Sequence, residues 1–340
     1  MIRYGIERRD CSSAARVHGP RLTVDELQEL MEGLKPLEPV VYEPKPRTSL
    51  FIPVPYSGIR DKVFDCTLTL VMSDLHLGDA DHLPDSYWST ISNVLEIMRG
   101  IMTWNNVRSF KVVLNGDIVS GRNVYRGQEF RNLLSRGHWQ VFLAEEVLKR
   151  TFRKIEELVP IEVILLTKGQ HEPQEENYAL YLRKIFGDRC KYGSKSIIYN
   201  IASPLGFYNV LFTHGTSRSE YYPVSYALIR DIWKTLSEND KVPVERIVCS
   251  HSHWLTPDIQ IEGFKVSVTG GYQRWEYSIH QRPAGVILLY YANGEAYPIA
   301  IPPDRDIERK EKSHPALEYR NLKYYAEMLM GHLREEEKVP

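Results

Sequence analysis

The sequence predicts an α/β protein in which β-sheet forms the centre and helices pack outside it. Between about residues 68 and 236, short β-rich runs alternate with longer stretches whose apolar residues recur at helical spacing. After residue 245 the pattern changes to a succession of short strands. A polar cluster also follows each of five β-rich runs. Because open α/β sheets bind ligands beyond the carboxyl ends of their strands, the clusters favour the same fold class.

The individual helices and strands are predicted from local periodicity. Helices are expected where apolar side chains form one stripe, over 86–103, 138–158, 175–186 and 224–236. Strands are expected in β-rich runs at 68–72, 111–114, 163–166, 209–212, 246–250, 258–268, 284–291 and 296–301. The last two strands should be joined by a turn that contains Asn293 and Gly294.

The chain is expected to have three parts. Residues 1–59 form a basic N-terminal extension, with a helix after Thr23 and then a Pro-rich linker. Residues 60–303 form the catalytic domain, and residues 304–340 form a charged helical tail. The tail helix, predicted over 315–334, carries an apolar stripe through which we expect a second copy or a protein partner to bind.

Composition excludes several classes of protein. The 340 residues carry a net charge of −1 and are 43% hydrophobic, as in a soluble globular protein. No apolar run approaches the roughly 18 residues of a membrane span, so no membrane partner is expected. The four cysteines lack metal-site or disulfide spacing, which indicates the reducing cytoplasm. The near-neutral charge does not indicate a nucleic-acid-binding protein, and only a local basic patch would support nucleic acid as a partner.

The polar clusters contain residue types that bind metal ions. In chain order they hold Asp74 and His76, Asp117, Gln170 with His171 and Glu172, His214, and His251 with His253. Carboxylates mixed with imidazoles suit Mn²⁺, Fe, Zn²⁺ or Ni²⁺ better than Ca²⁺. The clusters therefore predict a metal centre. His82, close to the first cluster, is expected to be an ordinary surface histidine.

Asp-x-His, Gly-Asp, Gly-x-His-Glu, a lone His and His-x-His, in this order, resemble the calcineurin-like metallophosphoesterase family over roughly residues 65–290. The resemblance implies a four-layer α-β-β-α sandwich and two divalent ions, for which Mn²⁺ is the expected metal. It also implies phosphate-ester hydrolysis, in which two such ions would neutralise phosphoryl oxygens and generate a nucleophile near pH 7. It implies a first ion on Asp74, His76, Asp117 and His253. It implies a second ion on Asp117, Gln170, His214 and His251. Asp117 would then bridge both ions, and His171 would be a catalytic acid that binds neither.

One position departs from the family pattern. The family usually has Asn where this chain has Gln170, and Gln carries the same amide on a side chain that is one methylene longer. The ligand oxygen must therefore come from a more distant Cα or a different rotamer. This departure makes weaker binding of the second ion an expectation, with a loop residue that never touches metal as the alternative.

A second resemblance concerns the substrate. Residues 116–128 are similar to the corresponding stretch of the small subunit of archaeal family D DNA polymerases, and Asp74-Leu75-His76-Leu77-Gly78 suits the double-strand-break repair nucleases. Arg122, Arg126 and Arg131 lie in a locally basic segment and are expected to bind a nucleic-acid backbone, because Arg forks match phosphate oxygens. The sequence therefore predicts a DNA nuclease. A small-molecule phosphoesterase and a non-catalytic, polymerase-accessory-like scaffold subunit are the alternatives.

Overall fold

The structure is a computed structural model that describes most of the chain after residue 63. The described residues are 64–122, 124, 128–134, 137–172, 178–193, 196–203, 206–215, 224, 229–230, 232–234, 243–261, 263–274 and 282–336. The predicted N-terminal extension and Arg126 lie outside these residues. Elements are numbered below in chain order within the described residues.

The first sheet mixes parallel and antiparallel strands. Its strands are β1 (Phe64–Met72), β2 (Asn105–Asn115), β3 (Ile161–Thr167), β4 (Cys190–Tyr192), β10 (Val286–Ala292) and β11 (Glu295–Ile301). They pair in the order β11-β10-β1-β2-β3-β4. The strands from β1 to β4 are parallel, whereas β10 pairs antiparallel with both β1 and β11. The carboxyl ends of β1, β2 and β3 therefore lie along one edge.

The second sheet is also mixed. Its strands are β5 (Ser196–Ser203), β6 (Gly206–Thr213), β7 (Arg246–Cys249), β8 (Thr256–Ile261) and β9 (Phe264–Val268), in the order β5-β6-β7-β9-β8. The parallel strands β6, β7 and β9 form its centre. The prediction of a single strand over 258–268 is wrong, because β8 and β9 form an antiparallel hairpin that turns at Gly263. Gly263 has a φ of 90°, a conformation that glycine adopts without steric cost.

Five helices have described bounds: α1 (Pro84–Trp104), α2 (Gly137–Glu156), α3 (Tyr178–Phe186), α4 (Arg305–Lys312) and α5 (Leu317–Glu336). Residues 229–230 and 232–234 are helical as well, within the predicted helix 224–236. The sequence did not predict α4, whose N-cap Asp304 accepts a hydrogen bond from the Asp306 amide at 2.8 Å. None of the helices in the described residues combines the length and apolar content that crossing a membrane requires.

Alternating side chains of β1 and β2 separate the layers. Leu68, Leu70 and Val112 face the core beneath the helices, whereas Val71 and Val113 face the second sheet. Buried residues of β6 and β7, including Val210, Phe212 and Val248, complete the contact between the two sheets. On the outer face of the second sheet, Leu211 and Ile247 pack with Ile232. The predicted α/β class, with two sheets face to face and helices outside, is confirmed.

The C-terminal helix α5 packs on this same chain. Tyr325, Met328 and Leu329 join the core beneath the helices of the first sheet. The Asn321 side chain donates hydrogen bonds to the carbonyls of Ala80 and His82, which belong to the loop after β1. Much of the predicted partner-binding stripe is therefore covered within the chain, while binding of a second copy or a protein partner stays a prediction.

Candidate metal centre

Five loops converge where the carboxyl ends of the two sheets meet. The loop after β1 is tied to the loop after β2, because the amides of Asp74 and His76 donate to the carbonyls of Gly116 and Asp117, both at 3.1 Å. In the second sheet, the Ser250 amide donates to the carbonyl of His214 at 3.3 Å. Backbone hydrogen bonds thus link the loop after β1 to the loop after β2, and the loop after β6 to the loop after β7. All four loops carry predicted metal ligands.

Asn115, the last residue of β2, connects the two sheets. Its side-chain amide donates to the Thr213 carbonyl at 3.0 Å and to Ser250 Oγ at 2.6 Å. Its carbonyl accepts a hydrogen bond from His214 Nδ1 at 2.8 Å, which turns His214 Nε2 inward. Sequence reasoning missed Asn115. Its position directly before Gly116-Asp117 was the only local signal that could have indicated it.

Backbone strain is concentrated at this edge. Asp74, His76, Asp117, His251 and His253 all have φ between 48° and 68°, in the left-handed region. Among the described residues other than glycine, the only further case is Asn293, at the β10–β11 turn. Such conformations cost about 1 kcal/mol or more each and persist where the surrounding structure enforces them. The five strained residues are all among the predicted metal ligands.

The first group of ligand atoms contains Asp74, His76 and His253. His253 Nε2 lies 3.0 Å from Asp74 Oδ1 and 3.2 Å from His76 Nε2. His76 Nε2 lies 3.8 Å from the same carboxylate oxygen. The family resemblance assigned these three residues to the first ion together with Asp117.

The second group contains Asp74, Asp117, His214 and His251, with one ligand atom of each within 4.8 Å of the others. His214 Nε2 lies 2.9 Å from Asp117 Oδ2 and 4.0 Å from Asp74 Oδ1. Asp74 therefore belongs to both groups, although the family resemblance gave the bridging role to Asp117. The assignment of each carboxylate to one ion or to both stays a prediction.

The shortest of these separations, 2.9, 3.0 and 3.2 Å, are close to those expected for ligands of a shared metal ion. Two ligands bound to one ion at about 2.1 Å lie roughly 3.0–3.4 Å apart in octahedral or tetrahedral geometry. The six side chains in the two groups are at most 3% exposed. Oxygen and imidazole nitrogen together form a donor set for borderline divalent metals. The residues thus fit a divalent metal, while the number and identity of the ions stay predictions.

Electrostatics keep both carboxylates ionised. Burial would raise the pKa of Asp74, but His253 and His214 outweigh burial and lower it. The pKa of Asp117 is likewise lowered, because His214 and His171 outweigh the effect of burial. Burial lowers the pKa of His214, but Asp117 and Asp74 outweigh burial and raise it to about 10. A metal ion must displace the His214 proton to bind there, which makes its affinity depend on pH.

His171 lies beside both groups. Its backbone amide donates to Asp117 Oδ1 at 2.7 Å, and its Nδ1 lies 2.9 Å from the carbonyl of Ser120. Nδ1 is therefore the donor in that bond, and Nε2 points towards Asp117 Oδ2 at 3.9 Å. A third set of neighbouring ligand atoms joins His171 with His76 and Asp117. The geometry accommodates an acid beside the metals, and that role stays a prediction.

Gln170 differs from the other predicted ligands, because it is exposed whereas they are buried. Glu172, two residues later, is only 5% exposed. Its Oε1 accepts from the Ile118 amide at 3.3 Å. Burial first, and then Asp117, raise the pKa of Glu172 to about 8. The binding of metal by Gln170 stays a prediction.

The predicted substrate-binding arginines have different environments. Arg122 is exposed, and Arg126 lies outside the described residues. The Arg131 guanidinium contacts two carboxylates of the loop after β1, at 2.6 Å from Asp81 Oδ2 and 3.4 Å from Asp79 Oδ1. Arg131 thus helps hold that loop, and phosphate binding by the three arginines stays a prediction.

His82 is not a surface residue, and that expectation is wrong. Its side chain is 0% exposed and its ring lies 6.1 Å from the ring of Tyr325 and 6.2 Å from that of Tyr324. Both tyrosines come from α5, more than 240 residues later in the chain. No pattern near residue 82 indicates this contact, because it depends on the tertiary fold.

Comparisons with known proteins give matches only among solved structures. No family model matches the chain, and no curated protein matches it. Similar structures include Vps29 of Entamoeba histolytica complexed with zinc (12% identity, 69% of this chain and 98% of that chain, TM-score 0.36). They also include a putative 5′-nucleotidase of Staphylococcus aureus (11%, 76% and 58%, TM-score 0.39) and a predicted phosphoesterase of Streptococcus pneumoniae (12%, 69% and 98%, TM-score 0.29). At these TM-scores the likeness carries no argument about activity.

Proposed function

We propose that this chain is a metal-dependent phosphoesterase. The observation that carries the proposal is the buried cluster of two carboxylates and four imidazoles at the meeting edge of the two sheets. Five of these six residues have left-handed backbone conformations. A fold that needed these side chains only for packing would gain nothing from gathering them at such a cost.

The proposed ligands are those expected from the sequence, with two Mn²⁺ ions as the expected cofactors. Bound ions would neutralise the phosphoryl oxygens and activate water. In this proposal His171 Nε2 gives a proton to the leaving oxygen, and the Ser120 carbonyl, which accepts from Nδ1, supports that role by holding the ring. Asp117 Oδ1 accepts a hydrogen bond from the His171 backbone amide and so keeps His171 beside the cluster. Proton transfer from such a residue contributes about 10²–10⁴ to the rate.

Within this class we propose a phosphodiesterase that acts on nucleic acid. The support is the similarity of residues 116–128 to the polymerase subunit, together with exposed Arg122 and Phe130 in that loop and the turn after it. Phe130 is 68% exposed, which leaves its ring available for stacking on a base. Ser120, at the start of the same loop, accepts a hydrogen bond from His171. DNA cleavage is the specific activity that we propose.

A small-molecule phosphoesterase is the second candidate. The near-neutral charge favours it, and so does the pairing of Arg131 with Asp79 and Asp81. An enzyme for small substrates has no need of a long cationic track, so its substrate affinity should depend little on salt. A nucleic-acid enzyme should instead show a steep fall in affinity with rising salt.

An activity panel with Mn²⁺ tests both levels of the proposal. The substrates are single- and double-stranded DNA, RNA, bis-p-nitrophenyl phosphate and p-nitrophenyl phosphate, with Asp117→Ala as the matched inactive variant. We expect hydrolysis of bis-p-nitrophenyl phosphate and DNA that EDTA abolishes and Mn²⁺ restores. Activity on small substrates alone would favour the second candidate. No activity on any substrate would favour a non-catalytic scaffold subunit.

A further inference from the structure

Three amide side chains, two of them buried, surround the peptide that contacts His171. The Ser120 carbonyl accepts hydrogen bonds from His171 Nδ1 at 2.9 Å and from Gln128 Nε2 at 2.6 Å. The same peptide group contains the Gly121 amide, which donates to Gln140 Oε1 at 2.8 Å. The Gly121 carbonyl, in the next peptide group, accepts from Asn132 Nδ2 at 2.8 Å and from Gln140 Nε2 at 3.2 Å.

The two glutamines have no contact with solvent. Gln128 and Gln140 are both 0% exposed, which is unusual for this residue type. A buried amide costs free energy unless it is hydrogen-bonded, and both side chains satisfy their donors and acceptors on the backbone. Gln128 Oε1 also accepts from the Val124 amide, and Gln140 Nε2 also donates to the Leu134 carbonyl. The two side chains therefore fix the loop between β2 and α2 at both ends.

The clamped peptide leaves His171 little freedom. Gly121 has a φ of 73°, and a Cβ placed on it would lie 1.6 Å from the carbonyl oxygen of His171. The two backbones are thus in direct contact. A displacement of the Ser120–Gly121 peptide would therefore move the carbonyl that accepts from His171 Nδ1, and would also push against the His171 backbone.

We infer that Gln128 and Gln140 are positioning residues for His171. They hold the Ser120 carbonyl where it accepts the Nδ1 proton, and so keep Nε2 turned towards Asp117. The two glutamines bond to backbone groups of Ser120, Gly121, Val124 and Leu134, none of which is a proposed metal ligand. This role rests on the proposed function, in which His171 is the acid.

The first test is a double-mutant cycle with the full chain and bis-p-nitrophenyl phosphate. Gln140→Met keeps the length of the side chain and removes its hydrogen bonds. We expect it to lower kcat about 10- to 100-fold with little change in KM, because small misplacements of a reacting group have costs of this size. In a His171→Ala background, the same substitution should change kcat less than twofold. If Gln140→Met lowers kcat by the same factor in the wild-type and His171→Ala backgrounds, the inference is overturned.

The second test does not require activity. The metal-free full chain, labelled with ¹⁵N at histidine, should show a slowly exchanging Nδ1–H resonance of His171, assigned by its loss in His171→Ala. Gln128→Met and Gln140→Met should make that proton exchange rapidly, while the Nδ1–H of His214, bonded to Asn115, stays protected. Protection of the His171 proton in both variants would overturn the inference. If the wild type is inactive on every phosphate ester but the resonances behave as expected, the proposed function fails and the positioning stands.

Discussion

Replacing His171 by Ala separates catalysis from metal binding. Nδ1 of His171 donates a hydrogen bond to the Ser120 carbonyl, and Nε2 lies 3.9 Å from Asp117 Oδ2. The substitution retains the backbone amide that donates to Asp117. It also leaves the Ser120 carbonyl bonded to Gln128, so that this carbonyl keeps a donor. We therefore expect a loss of about 1 kcal/mol of folding stability per deleted hydrogen bond, with a further contribution from lost packing.

The expected loss of activity is much larger. If His171 transfers a proton in the rate-limiting step, kcat should fall about 10²–10⁴-fold, which corresponds to roughly 3–5 kcal/mol in the barrier. The assay is Mn²⁺-dependent hydrolysis of bis-p-nitrophenyl phosphate, with bound metal measured on the same samples by plasma mass spectrometry. His138→Ala, at an exposed histidine of α2, is the control. Loss of bound metal in His171→Ala would refute the acid assignment and make His171 a ligand, as its proximity to His76 and Asp117 also allows.

Three further predictions concern other parts of the molecule. Gln170→Asn should raise the affinity of the weaker metal site in a calorimetric titration; two equally tight sites that do not change would contradict our account of that position. Arg122→Ala should weaken DNA binding and reduce the salt slope by about one contact, without affecting bis-p-nitrophenyl phosphate hydrolysis; equal losses on both would contradict a backbone contact. Glu311 accepts hydrogen bonds from the Asp85 and Ser86 amides, and burial raises its pKa from 4.5 to about 7. Its contribution to the free energy of unfolding should therefore be complete below pH 4.5 and should fall by about 3 kcal/mol as the pH rises to about 7. The difference in unfolding free energy between wild type and Glu311→Gln, measured in EDTA, should change over this range. A difference that is the same at every pH would contradict this prediction.

The sequence predicted the fold class because local patterns and tertiary structure agree there. The stripes of α1 and α2 face the first sheet, and the β-rich runs of β1 and β2 are buried within it. The hairpin of β8 and β9 was missed because residues 258–268 are β-rich throughout and only Gly263 marks the turn. Helix α4 was missed because two prolines precede it and eight polar-rich residues give no apolar stripe.

The candidate site could be predicted as far as its residues lie in short motifs. Asp74, His76, Asp117, His214, His251 and His253 come together as the motifs required. The supporting residues could not be found in this way. Asn115 and Gln140 act through hydrogen bonds to distant backbone groups, and such partners are specified only by the folded chain. For the same reason no local pattern indicated that Arg131 contacts Asp79 and Asp81.

The most direct test of our central claim is equilibrium dialysis against Mn²⁺ of EDTA-stripped wild type and Asp117→Ala, with bound metal quantified per chain. Asp117 Oδ2 lies 2.9 Å from His214 Nε2, and the residue shares a group with Asp74 and His251. We predict two ions per wild-type chain, one more weakly bound, and at most one in Asp117→Ala. The control His138→Ala, at an exposed histidine, should retain both ions. A wild-type chain that binds no Mn²⁺ at millimolar concentration, or an Asp117→Ala chain with unchanged binding, would contradict the claim that these buried carboxylates and imidazoles form a metal centre.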